Sequence, residues 1–165
     1  MGHRIERALT TLHLLQSTVV QVVPREGMLF EAVLEIADSL MTYRRRYMTT
    51  LQAAPVLDLL LADESNPRSV AFQIARLSEH VAELPKPVSG MRLPEDRVLM
   101  KCLTELRLTD VQTAVEPQLV EDAPRRILAE AALSMQAESV GILSELLSQT
   151  YLSHSVATRQ LSSGI

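Results

Sequence analysis

The sequence predicts an all-α fold, a helical bundle of five long helices plus one short helix. Three observations carry that prediction. Glycine is scarce (5 residues) and aromatics make up 3%, too few of either for a sandwich or barrel of 165 residues. Leu, Ala, Glu, Arg, Met and Gln, all good helix formers, dominate the chain. Apolar residues recur every three or four positions between prolines.

The first helix is expected from Gly2 to Val23, with Ile5, Leu9, Leu12, Leu15, Val19 and Val22 on one stripe and Pro24 ending it. The second runs from Met28 to Met48, its stripe formed by Leu29, Val33, Ile36, Leu40, then Arg44 or Tyr43, and Tyr47. A short third helix spans Pro55 to Ala62 and is apolar nearly all round, so it should be buried. The fourth starts at Asn66, a good N-cap, with Pro67 in the first helical position, and ends near Leu84. Residues 85–93, with two prolines and a glycine, read as a connection. A fifth helix begins at Pro94 and carries Leu99, Cys102 and Leu106 towards Glu116. The last runs from Pro124 to about Leu152, with Leu128, Ala131, Val140, Leu143 and Leu147 among its inward residues. Residues 1–152 thus form one domain, and residues 153–165 are expected to be a mobile tail.

Charge and composition narrow the function. There are 16 Lys and Arg against 20 Asp and Glu, a net of −4. A basic face and exposed aromatic platforms, the marks of nucleic-acid binding, are missing, so no nucleic-acid partner is expected. No run of ~18 apolar residues exists, so no membrane span is expected. The segment Ala8–Val23 follows Arg4 and Arg7 as a leader would. Polar residues interrupt it at helical spacing and no cleavage site follows, which points to a cytoplasmic protein. The single cysteine, Cys102, fits a reducing compartment.

A self-contained catalytic site is hard to assemble. Bundle di-iron sites need Glu-x-x-His on two helices, and here only the reverse order occurs, His3 and Glu6. Cys102 sits on an apolar stripe, where it reads as a small buried hydrophobe. No Gly-rich phosphate loop precedes a Lys-Ser or Lys-Thr pair. Neither a metal nor a cofactor is implied.

The unusual feature is an arginine and acid pattern. Arg4, Glu6 and Arg7 open the first helix, and Tyr43, Arg44, Arg45, Arg46 and Tyr47 close the second. Asp58, Asp63, Asn66 and Arg68 surround the next turn, and Arg76 follows. Solvated ion pairs, each worth at most ~1 kcal/mol, account for such a pattern. So does a buried polar network lining a pocket for an anionic or peptide ligand. In the second reading Glu6 and Asp58 orient arginines. Arg44, continuing the apolar stripe, leans inward while Arg46 faces solvent.

The stretches Gly2-His-Arg-Ile-Glu-Arg-Ala8, Ala37-Asp-Ser-Leu-Met-Thr-Tyr-Arg-Arg-Arg-Tyr47, Pro55-Val-Leu-Asp-Leu-Leu-Leu-Ala-Asp63 and Asn66-Pro-Arg-Ser-Val-Ala-Phe-Gln-Ile-Ala-Arg76, in that order, resemble the bacterial alpha-E domain family. That family is an α-helical domain named for a Glu-Arg motif. Its members are longer, so the resemblance implies that this chain corresponds to a C-terminal half beginning at a second such motif. The family is often fused to, or encoded beside, a circularly permuted ATP-grasp enzyme and a transglutaminase-like protein. The resemblance therefore implies a role in a peptide-ligating or peptide-tagging system, and with no self-contained catalytic site in the sequence the chain is expected to be a non-catalytic helical module of it. Arg4, Glu6, Arg7, Tyr43, Arg44, Arg45, Asp58, Asp63, Asn66, Arg68 and Arg76 are its expected binding residues.

Two other readings stand beside it. One is an enzyme with an Asp or Glu base and arginine clamps. The other is a purely structural dimerisation bundle. A homodimer is expected if the chain is half of a longer helical domain, because the first helix carries a second apolar set (Ala8, Leu14, Val20, Val23) and a half-domain would leave that set and part of the last helix uncovered.

Overall fold

The computed structural model describes residues 1–85 and 92–152, and over them the fold is all-α with one small hairpin. Helix α1 (Gly2–Thr18) lies at the centre of the bundle, packed against α5 (Val70–Ala82) on one side and α8 (Ile127–Leu147) on the other. The predicted stripe does this work: Ile5, Leu12, Leu15 and Val19 are buried. The second apolar set is covered as well, since Ala8 and Val20 are buried and Leu14 and Val23 are half-buried. The expectation that this helix leaves apolar surface open is therefore corrected. Two helices, not one, need its faces.

The long second helix is in fact two, α2 (Glu26–Ile36) and α3 (Leu40–Tyr47). Asp38 adopts φ 48°, and its N–H reaches Glu35 O (2.9 Å) while the N–H of Ser39 reaches Leu34 O (2.8 Å). This is a Schellman closure built on a non-glycine left-handed residue. The break changes the register of everything after it. Phe30, Val33 and Leu34 face the core from α2, and Tyr43 does so from α3, while Ile36 is 71% exposed and Arg44 points outward.

The short buried helix is present as α4 (Ala53–Leu57), which continues into a π-helical turn, Asp58–Ala62. Val56, Leu57, Leu59, Leu60 and Leu61 are fully buried. Each such side chain contributes roughly 1.5–3 kcal/mol of burial, so this stretch anchors the neighbouring loops.

Helix α5 begins later than expected. Ser69, not Asn66, is its N-cap, and its Oγ accepts from the N–H of Phe72 at 3.0 Å. Helix α6 (Pro94–Leu108) starts as predicted, with Pro94 at the first position and Asp96 accepting from the N–H of Leu93 at 3.0 Å. It stops at Thr109 rather than reaching Glu116. Asp110 then caps a short α7 (Val111–Ala114), accepting from the N–H of Gln112 at 3.1 Å. A two-stranded antiparallel hairpin, β1 (Gln118–Val120) and β2 (Ala123–Arg125), follows. Gln21 bridges to Arg125, and the N–H of Arg126 donates to Val20 O (2.8 Å), tying the hairpin to the exit of α1.

Helix α8 runs on into a π-helical turn, Ser148–Leu152. It buries Ala129, Leu133, Val140, Leu143 and Leu147. Leu128 and Ala131, expected inward, lie on its outer side. Leu128, Met135 and Ile142 form an exposed row there at seven-residue spacing. Among the described residues no helix is long and apolar enough to cross a membrane. The expected tail, residues 153–165, lies outside the described residues, as does most of the proline-containing connection.

Candidate functional site

The polar residues of the N-terminal half converge where α1 begins, α2 turns into α3, and the chain passes from the π-helical turn to α5. Gln73, on the buried face of α5, holds these parts together. Its Nε2 donates to Pro67 O at 2.6 Å and its Oε1 accepts from Arg4 Nη1 at 3.2 Å. Asn66 is also buried. Its Nδ2 donates to Leu59 O (2.9 Å) and, more weakly, to Ser39 Oγ (3.4 Å), and its Oδ1 accepts from the N–H of Arg68 (3.1 Å). Asn66 therefore fixes the turn to the helix before it instead of capping the helix after it.

Two open grooves lie beside this turn and meet at Pro67. The first, about 390 Å³, has Glu6, Arg7 and Thr10 on one wall and Ile36, Asp38 and Arg68 on the other. The second, about 460 Å³, is lined by Thr42, Arg45, Arg46, Asp63, Ser65 and Asn66. Each contains one arginine held by a carboxylate. Arg68 Nη2 donates to Asp38 Oδ2 at 2.7 Å, and Arg46 Nη1 donates to Asp63 Oδ2. Asp63 is only 6% exposed and also accepts from the N–H (2.9 Å) and hydroxyl (2.7 Å) of Ser65. Each groove also contains an arginine with no carboxylate partner among the described residues, Arg7 in the first and Arg45 in the second.

The expected binding residues thus divide. Glu6, Arg7 and Arg68 share the first groove; Arg45, Asp63 and Asn66 share the second. Arg4 stands behind the first groove through Gln73 and lies 6.0 Å from the Phe72 ring centre. Arg76 covers that same ring at 5.3 Å and pairs with Glu79, away from both grooves.

Tyr43 is not at the surface. Its hydroxyl donates to Thr50 O (3.0 Å) and accepts from the N–H of Gln52 (3.2 Å), and burial pushes its pKa up. Two expected roles are corrected. Asp58 orients a tyrosine, not an arginine: Tyr47 donates to Asp58 Oδ2 at 2.5 Å. Burial, then this bond, raises the Tyr47 pKa well above the usual phenol range. Glu6 faces His3 at 3.6 Å rather than an arginine. Arg44, expected inward, is 58% exposed and pairs with Glu31 at 2.8 Å. Arg46, expected in solvent, is the one that reaches the buried carboxylate. The break at Asp38 causes both reversals, because it turns α3 about its axis relative to the unbroken register.

Asp38, Arg46, Pro67 and Gln73 were not among the expected binding residues. Gln73 left a signal, a polar residue on the inward stripe of Val70, Ile74 and Leu77. Among the described residues no group of three or more His, Cys, Asp or Glu side chains is arranged to hold a metal ion. Cys102 is fully buried and its thiol is pushed up to about 11, chiefly by burial.

The sequence model of the Alpha-E family, described as a predicted alpha-helical domain with a conserved ER motif, matches residues 1–152. The chain contains one Glu-Arg dipeptide, Glu6-Arg7, which lies on the first groove. Three curated relatives, uncharacterized proteins of Mycobacterium bovis and of two strains of Mycobacterium tuberculosis, are each 34% identical over 154 residues. The match covers 92% of this chain and 17% of each relative, so the chain spans about a sixth of their length. No solved structure matches it.

Proposed function

The chain belongs to the Alpha-E family, and from that premise we propose that it is a non-catalytic helical module that binds a peptide or other anionic ligand for an ATP-grasp-type peptide-ligating system. One observation carries this reading: the Glu-Arg dipeptide of the family opens onto a groove whose Arg7 has no carboxylate partner among the described residues. A guanidinium in an open groove is a ready bidentate partner for a carboxylate or phosphate. The grooves are open to solvent, which suits recognition of an extended chain better than enclosure of a reacting centre. The reading of an enzyme with an Asp or Glu base draws less support, because Asp38 and Asp63 are each held by an arginine.

In this reading the chain works in the cytoplasm beside an ATP-grasp enzyme and a transglutaminase-like protein. It has no nucleic-acid or membrane partner. It pairs with a second copy through the outer row of α8, where Leu128, Met135 and Ile142 are exposed. Light scattering at micromolar concentration checks the pairing: a mass twice that of the chain, lost on Ile142→Asp, is expected.

The decisive experiment is affinity capture of the tagged protein from its own host. An ATP-grasp enzyme should co-purify, and Arg7→Ala together with Arg45→Ala should reduce its recovery severalfold. Capture without any ATP-grasp enzyme, or recovery indifferent to both changes, defeats the proposal.

A further inference from the structure

We infer that the two grooves form one site for an acidic peptide, with one carboxylate on Arg7, one on Arg45, and an apolar residue crossing Pro67 between them. The inference rests on the binding reading above and gives the ligand its chemical class.

The charges select the ligand. Across both grooves, Arg68 and Arg46 are neutralised by Asp38 and Asp63. Arg7 and Arg45 remain without a carboxylate partner among the described residues, one on each side of Pro67; Glu6, exposed on the first groove, lies 3.6 Å from His3 and makes that groove less cationic than the second. A lone guanidinium matches a carboxylate, one charge for one charge, with two parallel N–H donations. A phosphoryl group carries about −1.5 to −2 and is better served by several cations. The carboxylates of Glu6 and Asp38, or of Asp63, in the same groove repel either ligand, but a phosphoryl group's larger charge more strongly than a carboxylate's single one. Two separated single arginines therefore favour two carboxylates over one phosphate.

The ridge between them selects what lies in the middle. Pro67 has no N–H to offer, and its carbonyl is already taken by Gln73 at 2.6 Å. Its ring is exposed, and beside it on the first groove stands Ile36, 71% exposed. A chain crossing here finds apolar surface and no free backbone partner at that residue. The ridge is also fixed before any ligand arrives. The Asn66 side chain reaches Leu59 O and receives the N–H of Arg68, and Gln73 holds the turn from beneath. A preorganised surface loses less on binding than a mobile one. The pattern it fits is acidic–aliphatic–acidic in an extended segment.

The test is fluorescence polarisation with end-blocked, labelled peptides in which two glutamates flank a leucine at increasing separations. Controls carry glutamine, or phosphoserine, in place of glutamate. At the best separation the diacidic peptide should bind about tenfold or more tightly than its glutamine counterpart, as expected for charge-assisted pairs. Arg7→Gln and Arg45→Gln should each weaken it about tenfold. Each loss should vanish with the peptide whose matching glutamate is already glutamine. Both side chains are exposed and unpaired among the described residues, so thermal melts of the variants should match the parent. Equal binding of glutamate and glutamine peptides, indifference to both substitutions, preference for phosphoserine, or no binding of any peptide overturns the inference. Recovery of an ATP-grasp enzyme in the capture experiment alongside any of these results would leave the docking reading standing and remove only the acidic-peptide assignment.

Discussion

Arg126 holds Glu26 through two parallel donations, Nη1 to Oε1 at 2.8 Å and Nη2 to Oε2 at 2.9 Å, across 100 positions of sequence. The Arg126 side chain is 6% exposed. The same guanidinium donates to Val19 O (2.9 Å) and Val115 O (3.0 Å). One side chain thus serves the ends of α1 and α7 and the first turn of α2, where the Glu26 carboxylate also complements the helix dipole. Removing one member of a buried pair leaves the other charge uncompensated. Arg126→Met should cost about 3 kcal/mol in urea unfolding, and Glu26→Gln about 1–2 kcal/mol because Glu26 keeps some solvent access. The double variant should cost less than the sum of the two, and strict additivity would show that the pair is not coupled.

The three consecutive arginines of α3 should separate in the same assay. Arg46→Ala strips a charged donor from the nearly buried Asp63 and should cost about 1–2 kcal/mol. Arg44→Ala breaks only an exposed pair with Glu31 and should stay within ~0.5 kcal/mol of the parent. Equal effects would place Asp63 in better contact with water than its burial implies.

Amide exchange should separate Ser69 from Asn66. Ser69→Ala removes the acceptor of the Phe72 N–H and should speed exchange there, at a cost of about 1 kcal/mol. Asn66→Ala should leave Phe72 less affected and instead free the N–H of Arg68, with the Leu59 carbonyl losing its donor. The opposite pattern would restore Asn66 as the cap.

Stability should fall at alkaline pH. The Cys102 thiol, pushed up to about 11 from 9.0 by burial, keeps its proton in the folded state where the unfolded chain has lost it. Its contribution is complete below about pH 9 and is lost as the pH rises towards about 11. Tyr43 and Tyr47, also raised, act in the same direction at higher pH. Unfolding free energies measured across this range should decline, and Cys102→Ala should flatten the lower part of the decline. A profile unchanged by Cys102→Ala would mean that the thiol titrates normally.

The helices of the bundle were legible because burial imposes a 3.6-residue rhythm, and Ile5, Leu12, Leu15 and Val19 keep it without interruption. Register was legible only up to a break. Asp38 has no local feature that demands a left-handed backbone, and the Schellman closure that holds it there forms with the folded corner. From that residue on, a stripe drawn through Ile36 and Arg44 points the wrong way. Asn66-Pro67 carries the pattern of a cap followed by a first helical proline, yet the Leu59 carbonyl and the Ser69 hydroxyl outcompete it. The arginines of the site were readable as a cluster. Which of them are neutralised was not, because their partners Asp38 and Asp63 lie on other segments.

The central position of α1 has a consequence for how the protein is made. One of its faces is covered by α5, but the other waits for α8, which the ribosome delivers about a hundred residues later. At roughly 5–20 residues per second, that face spends on the order of 5–20 s without its native cover during synthesis. The nascent chain must therefore pass through an interval in which the apolar residues of α1 that await α8 are screened by other means, and a ribosome-bound chain stopped before Ile127 is the species that a holdase chaperone should recognise.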